Sequence, residues 1–502
     1  MLAICGEAIG AHRLMTLWRS QRQLSRSQRR LWRFQTYEIL LALLVIAGGM
    51  AGGVSSSYAE SSPRRPNVVL IMADDFGFEC LGANGGQSYR TPNLDRLAAQ
   101  GVRFDECHVQ PLCTPTRVQL MTGLYNIRNY LNFGTLVRDH VTFGHLFQRA
   151  GYATGICGKW QLGREPDSPQ HFGFQESYLW QHTRRPPRYA NPGLEHNGRE
   201  LNFDDGQYGP KLLNDFARDF VRRHKDNPFF LYYPLTLTHD PFQPTPDSAD
   251  WDPRAKGENV NQDVKHFADM TAYMDRMIGE LEETLQEQGV RDNTLLMFLG
   301  DNGTGRGVTS RLRDQEYRGG KGTTTRRGTH VPLIVSWPGT VKEGRVSHDL
   351  ISSVDVLPTL CEAAGIPLSI KTDGISFLPQ VRGEQGQPRE WLYHWYSPRQ
   401  NGATAVTEFA FDHRYKLYRG GKFFDLKKDP NENQPLSIEQ LESDAAAARQ
   451  RLHAALDSFR DARPAHLEPA TSTESVSAPP SPMKKKGVGK NKKEKKEKRT
   501  SP

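Results

Sequence analysis

Only six of the 502 residues are cysteine, and none stands in a Cys/His pattern with the spacing of zinc ligands. A disulfide-dense scaffold is thereby excluded and a zinc site disfavoured. The apolar stretch at residues 39–47 falls well short of the ~20 residues that span a bilayer. No internal repeat is evident, so solenoids and propellers are set aside. A basic body is missing too. The net charge is +8, yet residues 1–35 carry seven Arg against one Glu and residues 464–502 carry ten Lys or Arg against four Glu; taking +6 from each end leaves −4. The positive total gives no support for nucleic-acid binding.

The ends differ in composition from the body. An Arg-rich start, an apolar core at 39–47, a small-residue stretch at 48–57 and Ser57-Tyr58-Ala59 before Glu60 have the layout of a secretory signal. Its basic region is long, so Met15 is an alternative start, and Arg29-Arg30 resembles a twin-arginine signal only weakly. An exported, periplasmic or extracellular protein is expected, with no stable membrane span after cleavage. From Pro464 the chain is rich in Ala, Ser, Thr and Pro and then in Lys, too polar to fold. It reads as a solvated tail, with an electrostatic tether to polyanions as the alternative.

Between these ends, strand-like runs alternate with amphipathic helices, the pattern of an α/β fold with a mainly parallel sheet covered on both faces. Residues 91–100 show a Thr cap, Pro92 at the first helical position and Gly101 beyond the end. Phe267, Met270, Met274, Met277, Ile278, Leu281 and Leu285 recur at helical spacing, a core stripe. Beyond about residue 364, aromatic segments at 391–396, 415–418 and 423–426 between Gly and Asp-Pro turns predict a small antiparallel sheet, and a last helix covers 438–459.

Two runs deserve separation from the rest. Residues 66–72 (PNVVLIM) and 294–299 read as buried parallel strands, ending in Asp74-Asp75 and in Asp301-Asn302-Gly303. Open α/β sheets place their sites at the carboxyl ends of strands. Four oxygen-bearing side chains there suit a hard divalent cation, Ca²⁺ before Mg²⁺ because it tolerates irregular geometry. Separately, an Asp-Asp pair is equally a helix cap, and Asp-Asn-Gly equally a turn.

Cys113-Thr-Pro-Thr-Arg117, followed by Thr122-Gly123, resembles the C-x-P-x-R…T-G signature of the sulfatase family, type I and arylsulfatase-like, within the alkaline phosphatase superfamily. The resemblance runs from about residue 66 to 436 in family order. Gly158-Lys159-Trp160-Gln161-Leu162-Gly163 resembles the second signature, residues 317–324 (YRGGKGTT) the segment with the substrate lysine, and Thr238-His239-Asp240-Pro241 the segment with a proton-donating histidine. It implies an alkaline-phosphatase-like sheet sandwich with a smaller C-terminal antiparallel-sheet subdomain. It also implies that Cys113 is converted by a formylglycine-generating enzyme to Cα-formylglycine, whose hydrate attacks the sulfur of a sulfated small molecule or polysaccharide. Arg117, Lys159, His239 and Lys321 then join Cys113 as catalytic groups. Lys159, Gln161, His239 and Lys321 contact substrate. Asp74, Asp75, Cys113, Asp301 and Asn302 surround the cation.

Pro115 suits the first turn of a helix, so the modified residue would lie at a helix N-terminus, where N–H groups favour anions. One departure is Gln161, where the family carries histidine as the base that expels sulfate; another is Leu124, where many members carry arginine. Of the remaining cysteines, Cys5 goes with the signal, and Cys80, Cys107, Cys157 and Cys361 are expected as mostly buried thiols with one disulfide at most. His182, Arg184, Arg185 and Arg188, in an Arg/Pro-rich insertion after Trp180, are candidate rim residues for further sulfates or uronates, or else a solvated loop.

The expected organisation is a signal at 1–59, a sulfatase catalytic domain at 60–380, a C-terminal subdomain at 381–463 and a disordered tail at 464–502. Three rivals to the sulfatase share its residues: a formylglycine-dependent phosphodiesterase or phosphonate hydrolase, a catalytically impaired sulfated-glycan-binding relative, and a phospho-group transferase, which would use Thr or Ser as nucleophile.

Overall fold

The computed structural model describes residues 64–398 and 406–467. The signal reading and most of the tail reading fall outside these residues. A ten-stranded sheet organises the body, in the order β12-β2-β11-β8-β1-β7-β3-β4-β5-β6. Its strands in chain order are β1 (Asn67–Ala73), β2 (Val102–His108), β3 (Ala153–Gly158), β4 (Glu176–Trp180), β5 (Gly193–His196), β6 (Arg199–Asn202), β7 (Phe229–Pro234), β8 (Thr294–Gly300), β11 (Leu333–Ser336) and β12 (Arg345–Ser352), with the hairpin β9 (Thr309–Leu312) and β10 (Gln315–Arg318) apart from it. The run β8-β1-β7-β3-β4 is parallel throughout.

Both faces of β1 are buried, which is why its sequence is continuously apolar rather than alternating. Val68, Leu70 and Met72 enter one core, and Val69, Ile71 and Ala73 enter the other. The predicted Met-rich stripe lies on the helix His266–Glu287 and fills the second core. At the helix Pro92–Ala99 the structure corrects the sequence reading. Thr91 occupies the cap position, but its hydroxyl donates to Asp95 Oδ1 at 3.1 Å. The free N–H groups of Asn93 and Leu94 instead donate to the Asp275 carboxylate of the long helix, at 3.0 and 2.9 Å. A fixed anion from a packed neighbour outcompetes a local hydroxyl.

The C-terminal sheet is β13 (Leu392–Tyr396), β14 (Thr407–Phe411), β15 (Tyr415–Tyr418) and β16 (Phe423–Asp425), antiparallel throughout. The last helix covers Ser443–Asp457 after a short 3₁₀ turn, and a further turn at Ala465–Leu467 buries Leu467, so packed structure runs past residue 463. The cysteines Cys80, Cys107, Cys113, Cys157 and Cys361 are all buried and free. No helix among the described residues is long and apolar enough to cross a membrane.

Three buried histidines hold the seam between the two sheets. His394 on β13 meets Val109 O through Nε2 at 3.1 Å, and His108 on β2 packs edge-on to Phe411 of β14 while stacking on His330. Burial keeps all three neutral: His108 is pushed down to about 4, His394 to about 3, and His330 well below its ordinary value. Below pH 6.5 the unfolded chain takes up protons that the folded seam refuses, so stability falls as the pH drops from about 6.5 towards 4. Urea unfolding at pH 7 and pH 5 should differ by about 2 kcal/mol for each of the three. A pH-independent unfolding free energy across this range would contradict neutral burial.

Candidate active site

Asp74 and Asp75 leave β1 directly beside Asp301 and Asn302, which leave β8, because Ala73 and Gly300 are register partners. The sequence motifs, 226 residues apart, are thereby brought together: the Asp75 N–H donates to Asp301 Oδ1 at 3.0 Å and Asn302 Nδ2 donates to Asp75 Oδ1 at 2.8 Å. Lys159 follows β3, two strands away. Gly158 before it has φ +122°, and a Cβ there would lie 1.8 Å from Pro234 O, so only glycine allows this approach to β7. The Lys159 ammonium donates to both Asp74 oxygens, at 2.8 and 2.7 Å.

Cys113 opens the helix Cys113–Thr122, as the motif reading requires, and Pro115 lies in its first turn. Four residues on, Arg117 is fully buried; it donates to Asp301 Oδ2 at 2.9 Å and to Lys159 O at 2.8 Å. Lys321, beyond the β9–β10 hairpin, donates to Asp75 Oδ2 at 2.6 Å and meets His239 Nε2 at 3.0 Å. His239 Nδ1 contacts Asp240 O at 2.6 Å. These two contacts require a proton on Nδ1 and a lone pair on Nε2, a neutral imidazole accepting from Lys321.

The electrostatics follow from burial and pairing. Burial raises the Asp74 carboxyl, but the charges of Lys159, Arg117 and Lys321 outweigh it and hold the group well below the usual carboxylate range. Asp301 is pushed up to about 7 by burial and by the charge of Asp74, despite Arg117. Burial likewise lowers His239 and raises the Cys113 thiol. An unmodified Cys113 is therefore a poor thiolate nucleophile.

The donor set fits a hard divalent cation. Asp74, Asp75, Asp301 and Asn302 are all buried oxygen donors, and Asn302 Oδ1 accepts no hydrogen bond. Ligand atoms of Asp74, Asp75 and His239 lie within 4.8 Å of one another. Glu106, His108 and His330 also cluster, but Arg326 already binds Glu106 at 2.9 and 3.1 Å.

Above this floor lies a cavity of about 680 Å³, onto which Cys113, Lys159, Gln161, His239 and Lys321 all face. Gln161 and Asp75 hold φ values of +57° and +60°, a left-handed region that costs a non-glycine residue about 1–3 kcal/mol and collects at functional sites. The Gln161 Oε1 is buried and without a partner. Of the four candidate rim residues the structure keeps two. Arg185 and Arg188 line the cavity, whereas His182 is buried against Glu195 at 2.7 Å and Arg184 is exposed with its Nε on Glu200 at 3.0 Å. Sequence reasoning missed Tyr189, whose hydroxyl donates to Thr236 O at 2.8 Å and also meets His239 O, bracing the histidine loop. It also missed Phe133, Gln243 and Gln262 on the cavity wall. None of these belongs to a periodic run or motif.

Two family models match the chain: Sulfatase over residues 66–366, and N-sulphoglucosamine sulphohydrolase, C-terminal, over residues 323–462. Human arylsulfatase A is 32% identical, covering 77% of this chain and 80% of its own length. Human N-acetylgalactosamine-6-sulfatase is 30% identical, covering 78% and 85%. Among solved structures, Ps i-CgsB superimposes with a TM-score of 0.65 at 26% identity, over 78% of this chain and 93% of that one.

Proposed function

Because the chain belongs to the sulfatase family and is a sulfuric ester hydrolase, we propose that it cleaves sulfate monoesters of sulfated carbohydrates in the cavity above Cys113. The observation that carries this reading is the convergence on one cavity floor of Cys113, three paired cations and an all-oxygen donor set, from elements scattered between residues 74 and 321. Asp74, Asp75, Asp301 and Asn302 hold a divalent cation, calcium before magnesium. Bound there, the cation supplies charge for the sulfate and nucleophile oxygens. Cys113, matured by a formylglycine-generating enzyme, supplies the oxygen nucleophile. Export, read from the basic and apolar start of the chain, accords with oxidative maturation of this kind.

The remaining residues act on charge and protons. Lys159 and Lys321 reach the sulfate from two sides and offset charge developing on the leaving oxygen. Lys321, 3.0 Å from His239 Nε2, is the proton source for that oxygen, and the neutral His239 relays the proton by taking it on Nε2 and passing it on. Arg117 carries a permanent charge beneath the helix N-terminus. Gln161, with its unpartnered Oε1, accepts a hydrogen bond from the nucleophile but takes no proton, so water or another residue removes the proton at the sulfate-releasing step.

The reading is tested by comparing an aryl sulfate with a phosphodiester bearing the same aryl group, in the wild type and in Gln161→His. The sulfate should be the better substrate in both. The substitution should change its rate by less than the about 10²–10⁴ that one acid–base group contributes. A faster phosphodiester would favour the phosphodiesterase reading. A burst of phenol equal to the enzyme, with turnover restored by Gln161→His, would mark an impaired relative.

A further inference from the structure

Resting on the sulfatase reading, we infer that Arg185 and Arg188 form a subsite for a second anionic group, so that the natural substrate is a saccharide carrying a further carboxylate or sulfate near the scissile ester. On the cavity floor each cation has its own carboxylate: Lys159 with Asp74, Lys321 with Asp75 and Arg117 with Asp301, at 2.6–2.9 Å. The wall lacks this balance. Among the described residues no carboxylate lines the cavity. Arg188 NH1 is buried without a hydrogen-bond partner, and the nearest carboxylate oxygen is Asp74 Oδ2 at 3.9 Å, which Lys159 already occupies. For Arg185 no side-chain hydrogen bond or ion pair is formed among the described residues, while its sequence neighbour Arg184 is fully engaged by Glu200.

The two guanidiniums are held rather than loose. The Arg188 group stacks on the Trp180 ring, 4.2 Å from its centroid, a cation–π contact that fixes its plane. Pro186 and Pro187 stand between the two arginines and restrict the backbone. Trp180 Nε1 donates to Pro186 O at 2.7 Å, the Gly193 N–H to Pro187 O at 3.0 Å and the Arg185 N–H to Gln181 O at 3.0 Å, which tie the loop to the end of the sheet. Burial and the nearby charges of Arg164 and Arg188 press the Arg185 guanidinium below its ordinary value, a repulsion that a bound anion relieves. A cavity of about 680 Å³ has room for a ligand well beyond one sulfate group. Planar guanidiniums suit carboxylate and sulfate alike, in paired hydrogen bonds.

The experiment measures kcat and KM for four substrates: an aryl sulfate, a sulfated disaccharide with a uronate, the same disaccharide with its carboxyl reduced to the alcohol, and a doubly sulfated disaccharide lacking the uronate. Wild type should prefer one or both doubly anionic sugars over the reduced one, and which of them it prefers identifies the second anion as carboxylate or sulfate. In Arg185→Gln, which keeps a polar side chain and loses the guanidinium and its charge, that preference should shrink by about 10–100-fold, mainly through KM. Calorimetric binding of the preferred sugar to Cys113→Ala, with and without Arg185→Gln, should show the same loss without turnover. If wild type hydrolyses the aryl sulfate but shows no preference for a second anion, or Arg185→Gln slows all four substrates alike, the subsite is overturned and the sulfatase reading stands. If no sulfate ester is hydrolysed, the sulfatase reading itself falls.

Discussion

Cys113→Ala is expected to lower hydrolysis of any sulfate ester by at least about 10⁴-fold, because it removes the nucleophile around which every other group at the site is arranged. The side chain is buried at the head of its helix, 1% exposed, and its replacement by a smaller apolar residue removes no hydrogen bond that the fold depends on. Folding should therefore survive, and the variant should still bind the sulfated sugar. Cys113→Ser is the sharper comparison. It puts a hydroxyl of nearly the same size at the same place, so a mechanism that needs only a simple hydroxyl nucleophile predicts appreciable rescue. An aldehyde-hydrate mechanism predicts little, because an ester formed on serine lacks the second hydroxyl through which sulfate is expelled. Equal and substantial activity in wild type and Cys113→Ser would defeat the account of the nucleophile.

The second large effect concerns the cation. Chelation should abolish activity, with Ca²⁺ restoring it better than Mg²⁺, and Asp301→Ala should cost about 10²–10⁴-fold that added Ca²⁺ does not recover. The motive is electrostatic. Asp301 is pushed up to about 7 by burial beside Asp74, a state that a divalent cation reverses by stabilising the ionised form. Asp301 also anchors Arg117 and receives the Asp75 N–H, so the loss in Asp301→Ala mixes metal binding with geometry. Asp301→Asn keeps an oxygen for the Asp75 N–H but turns an amide group towards the buried Arg117, so it should weaken Ca²⁺ binding measured by calorimetry and also lower urea stability, by about 3–5 kcal/mol. Full activity after exhaustive chelation would remove the cation from the account.

What could be read from the chain in advance followed from where local sequence and tertiary role coincide. β1 and β8 are legible because strands buried on both faces must be continuously apolar, and their abrupt endings in Asp74-Asp75 and Asp301-Asn302 mark the carboxyl end of the sheet. The motif around Cys113 was legible because the turn into the helix, the proline and the arginine lie within five residues. β14 was not singled out, since residues 407–411 carry too short an apolar run to stand apart from their surroundings. The capping of Pro92–Ala99 by Asp275 was invisible for another reason: the partner lies 182 residues away and belongs to a different helix. The rim loop shows the same limit. Four basic residues within seven positions looked equivalent, yet Glu195 and Glu200, presented by the β5–β6 hairpin, capture His182 and Arg184 and leave Arg185 and Arg188 facing the cavity. Composition supplied the charges; only the hairpin decided which of them were spent on the fold.

The account turns on the chemical state of one residue, and peptide mass spectrometry of protein with demonstrated sulfatase activity measures it directly. The peptide containing Cys113 should carry the aldehyde in place of the thiol, in a fraction that rises and falls with specific activity across preparations made with and without a formylglycine-generating enzyme. An active preparation in which Cys113 is entirely an unmodified thiol would contradict it.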